Sequence, residues 1–196
     1  MLQIFGHNGS GNCLKVKWTC DLLALPYAWT EIDTFAGATR TTEFLALNPA
    51  GQVPVVRFDD GRTLAQSNAI IRYLARDSDL IPKDAFQAAK MDEWLFWEQY
   101  SHEPNIAVCR AHLVYLHKSV DQLDPEKVKR GYAALDRMET QLRATRFLIG
   151  EMVSLADMAL VAYTRVAHEG GFALSAYPSV RRWINETEQA FDIGGD

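Results

Sequence analysis

The stretch Leu2-Gln3-Ile4-Phe5-Gly6-His7-Asn8-Gly9-Ser10-Gly11-Asn12-Cys13-Leu14-Lys15-Val16 decides how the chain begins to fold. Residues 2–5 have the length and apolar content of a strand, and Gly6 to Gly11 punctuates it. From about Asn12 the text turns helical. Leu14, Trp18, Leu22 and Leu25 keep a near-helical period, with Val16, Cys20 and Leu23 on a neighbouring face. Pro26 is the expected stop. Tyr27 to Ile32 predicts a second strand, Thr41 to Leu47 a short helix, and Asn48-Pro49-Ala50-Gly51 a turn. Val55 to Phe58 and Thr63 to Ala65 predict two strands joined by Asp59-Asp60-Gly61, where aspartate before glycine favours a hairpin turn. A helix from Ser67 to about Arg76 closes the series. The order β-α-β-α-β-β-α predicts a small α/β domain over residues 1–76.

A polar, proline-containing linker follows over residues 77–83, and an all-helical domain is expected over 84–196. Its first helix runs from Asp84 through Trp94, Phe96, Trp97 and Tyr100, with a break or kink expected near Pro104. It resumes with Ile106, Cys109, Leu113 and Leu116. Pro125 opens another helix, which carries Val128, Leu135, Met138 and Leu142. Ser154 opens a nearly all-apolar helix that should be buried. Pro178 stands at the first position of the last helix, and Val180, Trp183, Ile184, Thr187 and Phe191 mark one of its faces.

Length alone allows one large domain or two small ones, and the motif order above selects two. The chain has 196 residues, 48% of them apolar and 23% charged, which is the profile of a folded globular protein rather than a disordered one. The net charge is -5, and no Lys/Arg cluster offers a nucleic acid a basic surface. The most apolar stretch, Met152 to Ala167, holds Asp157 and Arg165 and is too short to span a bilayer. The N-terminus reaches Gly and Asn too early for a signal segment. No membrane partner is therefore expected. Cys13 and Cys20 lie about 10 Å apart along a helix axis, too far for a disulfide. Together with Cys109 they read as reduced thiols in a cytoplasmic protein. The histidines show no metal spacing. His112 and His117 lie about 140° apart round a helix.

The loop from Gly9 to Asn12 opens a helix, where outward N–H groups and the helix dipole favour anions and thiolates. Gly9-x-Gly11, with Asp33 about 20 residues on, imitates a dinucleotide fingerprint. Leu14 stands where the third glycine is needed, and the further strands of such a fold are missing. Ser10-x-x-Cys13 is more informative. It is a C-x-x-C redox pattern with serine in place of the first cysteine. Ser10 can cap the helix or bond an anion there. Cys13 can be a redox thiol of lowered pKa or a small buried hydrophobe.

The segments Ser10 to Val16, Asn48 to Val55, Gln66 to Ala75, and Phe147-Leu148-Ile149-Gly150 followed by Ser154-Leu155-Ala156-Asp157 occur in an order that resembles the glutathione transferases, in their serine-type, bacterial-like form. The resemblance implies a thioredoxin-like N-terminal domain that binds glutathione and an all-α C-terminal domain that lines the second substrate's site. It implies that Ser10 donates a hydrogen bond to the glutathione sulfur, with Asn12 assisting as in some bacterial members. Phe5 and Gly6 occupy the neighbourhood where tyrosine-type members carry their tyrosine. The size of the effect is adequate. Lowering a thiol pKa by about two units takes about 2.7 kcal/mol. One hydrogen bond to a charged acceptor gives about 1.5–3 kcal/mol, and a helix N-terminus adds about 0.3–1 kcal/mol.

The same resemblance implies a cis Val53–Pro54 bond that turns the Val53 backbone toward glutathione's cysteinyl backbone. Read without it, Pro54 is a proline at the start of a strand. Gln66 and Ser67 would meet the γ-glutamyl end, the amide oxygen taking the ammonium and the helix N-terminus the carboxylate. Ser67 is equally a simple cap. Gln52 would contact the glycine end, or be a solvated turn residue. The second substrate would meet the Ser10 loop and the first C-terminal helices. Tyr100, His102, Asn105 and Arg110 are the candidates by position, and each can instead be a solvated or interface residue. Ser154 and Asp157 form an S-x-x-D capping box, so Asp157→Ala is expected to cost about 1 kcal/mol or somewhat more. The activity implied is conjugation of the glutathione thiolate to a small hydrophobic electrophile, a detoxification reaction, in a homodimer. A glutathione-dependent disulfide or peroxide reductase and a non-catalytic glutathione-binding interaction module are the alternatives.

Overall fold

The computed structural model describes residues 1–193. Residues 194–196, the end of the expected helical domain, lie outside them. The chain forms two compact units that divide between Ser78 and Asp79.

The first unit is built on a four-stranded sheet of order β2-β1-β3-β4. Strand β1 (Leu2–Gly6) is central, pairing parallel with β2 (Tyr27–Glu31) and antiparallel with β3 (Val55–Arg57). Helix α1 (Gly11–Leu22) is the crossover that parallel pairing requires. The hairpin from β3 to β4 (Thr63–Ala65) turns at Gly61, whose φ of 85° suits glycine. Helix α2 (Thr42–Leu47) starts on the Thr41 hydroxyl, which accepts from Phe44 N at 3.2 Å. It thereby delivers Phe44 against Phe5 and Val55. Helix α3 (Ser67–Leu74) packs on α1, and Ile4, Val16, Val56, Ile70 and Ile71 fill the space beneath.

Helix α1 ends at Leu22, short of the stop expected at Pro26. Ala24 turns left-handed, with φ 50°. Ala24 N then bonds Asp21 O, and Leu25 N bonds Cys20 O at 2.9 Å. This is a Schellman closure made with alanine in place of glycine. Because Leu25 continues the apolar period, the early stop was hidden in the sequence.

The second unit is helical. Asp84 caps α4 (Ala85–Trp97) by accepting from Gln87 N at 2.9 Å. No break occurs at Pro104. A single π-helical turn over Glu98–His102 leads into α5 (Glu103–Val114), which has Pro104 in its first turn. The wider turn absorbs the missing proline N–H and the clash its ring would make with a preceding carbonyl. Helices α6 (Pro125–Ala144), α7 (Leu155–Thr164) and α8 (Pro178–Phe191) complete the unit. Every residue of α7 is buried. None of the helices among the described residues is long and apolar enough to cross a membrane.

The α7 start is the expected capping box, with Ser154 N and Ser154 Oγ donating to Asp157 Oδ2 at 2.9 and 3.0 Å. The other carboxylate oxygen accepts from Leu148 N at 3.0 Å and from Trp183 Nε1 at 2.8 Å. Burial pushes the Asp157 carboxyl up, and these donors pull against that push. The group thus binds the loop before α7 and helix α8 as well as its own helix. Removing it takes the acceptor from four buried donors, and each one left unpaired costs about 1–3 kcal/mol. Asp157→Ala is therefore expected to cost about 3 kcal/mol or more, read from denaturant unfolding, rather than the cost of one cap.

Helix α8 has no side-chain cap of its own. Glu139 of α6 supplies one, accepting from Ser179 N and Val180 N at 3.0 Å each. Burial opposes its charge, but these donors and Arg143 outweigh burial and leave the Glu139 carboxyl below its usual range. A depressed folded value stabilises above the unfolded value of about 4.3 and is lost as pH falls through the folded one. The melting temperature of Glu139→Gln should lie below that of the parent at neutral pH, and the gap should close as pH drops below about 4.

Candidate functional site

One rank of the sheet gathers the sequence-selected residues of the first unit. Phe5 pairs with Val55, and Val55 pairs with Ala65. The loop to Ser10 leaves β1 just past this rank. Val53–Pro54 enters β3 at it, and Gln66–Ser67 leaves β4 from it. Three segments distant in sequence thus meet at one edge.

The Ser10 loop is tied down from β2. Glu31 accepts from Trp29 Nε1 at 2.7 Å and Asn8 N at 3.0 Å, and its carboxylate lies 2.9 Å from His7 Nδ1. Gly6 is tight against the same tryptophan. A Cβ there would sit 2.5 Å from the Trp29 ring. Ser10 is extended, and its carbonyl accepts from Cys13 N and Leu14 N at 3.0 and 2.9 Å. Its hydroxyl makes no capping bond to the helix. The Ser10 backbone begins the helix, and its side chain bonds the Cys13 thiol. Cys13 itself is fully buried, and burial pushes its thiol up to about 11. It is held as a neutral group, the opposite of a redox thiol.

The N-termini of α1 and α3 are clipped together. Asn12 Oδ1 accepts from Ser67 Oγ at 3.0 Å and from Lys15 Nζ at 2.8 Å. Lys15 Nζ also lies 3.5 Å from Asn68 Oδ1. Lys15 is 0% exposed. Neither Lys15 nor Asn68 was picked out from the sequence. The available signal was a lysine between Leu14 and Val16 on an apolar helix.

The Val53–Pro54 peptide is cis, as the resemblance implied. Asn48 shapes the approach to it, donating from Nδ2 to Gln52 O at 2.8 Å and accepting from Ala50 N at 3.2 Å. Gln52 is exposed. Gln66 is exposed too, and holds φ 70° and ψ 110°. A non-glycine residue in that region costs on the order of 1–3 kcal/mol, a strain that collects at ligand clamps. A recess of about 650 Å³ in the same unit, lined by Leu2, Pro26, Phe58 and Tyr73, contains none of these residues. It opens toward the start of β1, away from the rank at which they meet.

The four second-substrate candidates divide. Tyr100 (86% exposed) and Asn105 line a recess of about 530 Å³ between the π turn and α6, with Lys127 and Arg137 opposite. His102 does not belong with them. It is 0% exposed, with Nε2 2.9 Å from Thr164 Oγ1 of α7. The π turn rotates it into the core, which a plain helical count could not anticipate. Arg110 is committed elsewhere, donating from Nε to Glu169 at 2.6 Å and lying over the Tyr115 ring.

Comparison with known proteins finds matches in both halves of the chain. Residues 9–77 match the model of the glutathione S-transferase N-terminal domain, and residues 96–189 match that of the C-terminal domain. Glutathione S-transferase 3 of Zea mays is 31% identical over 194 residues, covering 93% of this chain and 86% of the relative. A glutathione S-transferase of Escherichia coli is 27% identical over 201 residues, covering 95% and 92%. The crystal structure of a glutathione S-transferase from Pseudomonas fluorescens superposes with a TM-score of 0.93 at 44% identity, covering 95% of this chain and 94% of that one.

The burial of Cys13 sets an expectation for its chemistry. A thiol with a pKa of about 11 is almost wholly protonated at pH 8. The folded protein should react with a disulfide reagent at pH 8 far more slowly than the denatured protein, in which the thiols titrate near 8.5. Rapid labelling of Cys13 in the folded state would contradict the assignment.

Proposed function

Since the chain belongs to the glutathione S-transferase family, we propose that glutathione lies along the sheet edge between Ser10, Val53–Pro54 and Gln66–Ser67, and that Ser10 stabilises its thiolate for attack on a small hydrophobic electrophile. Family membership makes the protein a transferase with glutathione as co-substrate. The observation that carries the finer reading is the Ser10 hydroxyl. It is not spent on capping α1 and already sits beside a sulfur, that of Cys13.

The hydroxyl has one hydrogen to give and lone pairs to accept with. Cys13, kept neutral by burial, is at most a weak acceptor at its sulfur and can also donate its S–H to the Ser10 oxygen. A glutathione thiolate, a charged and stronger acceptor, would draw the Ser10 hydrogen from the neutral Cys13 sulfur. The α1 N-terminus adds its positive end. The Asn12 amide would donate from beside it. Val53 would pair through its backbone with the cysteinyl residue. The strained Gln66 and the Ser67 helix start would take the γ-glutamyl end, and Gln52 the glycine end. Tyr100 and Asn105 are kept as candidates toward the second substrate. A homodimer working in detoxification in the cytoplasm completes the proposal, which three free buried cysteines suit.

Ser10→Ala provides the test. The apparent pKa of bound glutathione, followed by thiolate absorbance, should rise by about two units, since about 2.7 kcal/mol of stabilisation is removed. Conjugation of chlorodinitrobenzene at pH 7 should fall on the order of 10- to 100-fold, with glutathione affinity little changed. Wild-type protein that binds glutathione without ionising it near neutrality would show the role given to Ser10 to be wrong.

A further inference from the structure

Lys15 is an unusual residue to find fully buried, and the thiolate scheme leaves it without a task. It lies on α1, one helical turn after Asn12. Its ammonium meets the amide oxygens of Asn12 at 2.8 Å and of Asn68 at 3.5 Å. An ammonium can only donate. The Asn12 atom facing it must therefore be the oxygen, which fixes an amide orientation that Ser67 alone could not. A serine hydroxyl, 3.0 Å from the same atom, can donate to an amide oxygen or accept from an amide nitrogen. Lys15 breaks that symmetry.

We propose that Lys15 is a positioning residue for the transferase reaction, holding the Asn12 carbonyl inward so that the amide presents its N–H side to the glutathione sulfur beside Ser10. The proposal rests on the thiolate reading given above. Were the amide reversed, an oxygen lone pair would face a thiolate and repel it. The buried cation contributes in a second way. Its charge is felt at the Cys13 thiol, in the first turn of α1, where it favours the ionised form. A sulfur anion held at the start of that helix would meet the same sign of field.

Lys15→Met tests this, because methionine has nearly the same length and no donor. The readouts are the apparent pKa of bound glutathione, by thiolate absorbance, and kcat and KM for glutathione with chlorodinitrobenzene, both on protein shown to be folded. In Lys15→Met the thiol pKa should rise by about one unit, a roughly tenfold loss of thiolate at neutral pH. kcat should fall more than KM rises. Asn12→Ala should also raise the thiol pKa, and the double variant should lose less than the sum of the two single ones, since part of the Lys15 effect passes through the Asn12 amide. A simply structural lysine would lower stability and leave the thiol pKa in place. That result, or increments from the two variants that add, would overturn the proposal. If Lys15→Met does not fold, Lys15→Gln, which keeps a shorter neutral donor, is compared with Asn12→Ala in the same way. Wild-type protein that fails to ionise glutathione would remove the thiolate reading first, and this proposal with it.

Discussion

The rank Phe5–Val55–Ala65 is the constraint on which the candidate site depends. Strand side chains alternate faces, so a slip of one residue would turn Val55 away from Phe5 and Phe44. It would also carry Val53–Pro54 and Gln66–Ser67 out of line with the Ser10 loop. The small apolar cluster of Phe5, Phe44 and Val55 is therefore more than filling. It locks the register that brings the three segments together. The Thr41 cap matters for the same reason, because it sets the start of the helix that delivers Phe44.

The electrostatics where they meet are local. The chain is acidic overall, yet two helix N-termini and a buried ammonium converge where the anionic co-substrate is proposed to lie. At this range fixed dipoles and one desolvated charge outweigh a diffuse net charge that salt screens. Glu31, the nearby acid, is occupied with Trp29, Asn8 and His7 and so shapes the loop. Cys13 is silenced by burial, and the proposed mechanism takes its reactive sulfur from the ligand.

Much of this was legible in the sequence. The cis Val53–Pro54 bond and the helix starts near Asn12 and at Ser67 follow local rules and family resemblance, because loops, caps and X-Pro turns are decided by nearby residues. The Ser154–Asp157 box was legible for the same reason. Its bond to Trp183 was not, since a contact across 26 residues leaves no periodic trace. Helix α1 concealed its early end because Ala24 took a conformation that a glycine would have advertised. His102 was misplaced because a π turn shifts every later side chain by a fraction of a helical step. Lys15 was passed over because charge on a helix ordinarily signals solvent, and only three-dimensional packing shows it enclosed.

The two borrowed carboxylates have a consequence for motion. Glu139 of α6 holds the first amides of α8, and Asp157 of α7 holds Trp183 in the middle of it as well as the loop at Leu148. Helix starts ordinarily fray by themselves. Here fraying of α8 would leave a buried carboxylate bare on a neighbouring helix, so the cost is shared across elements. The amides of Leu148, Ser154, Ser179 and Val180 should therefore behave as one cooperative block in hydrogen exchange, opening together or not at all.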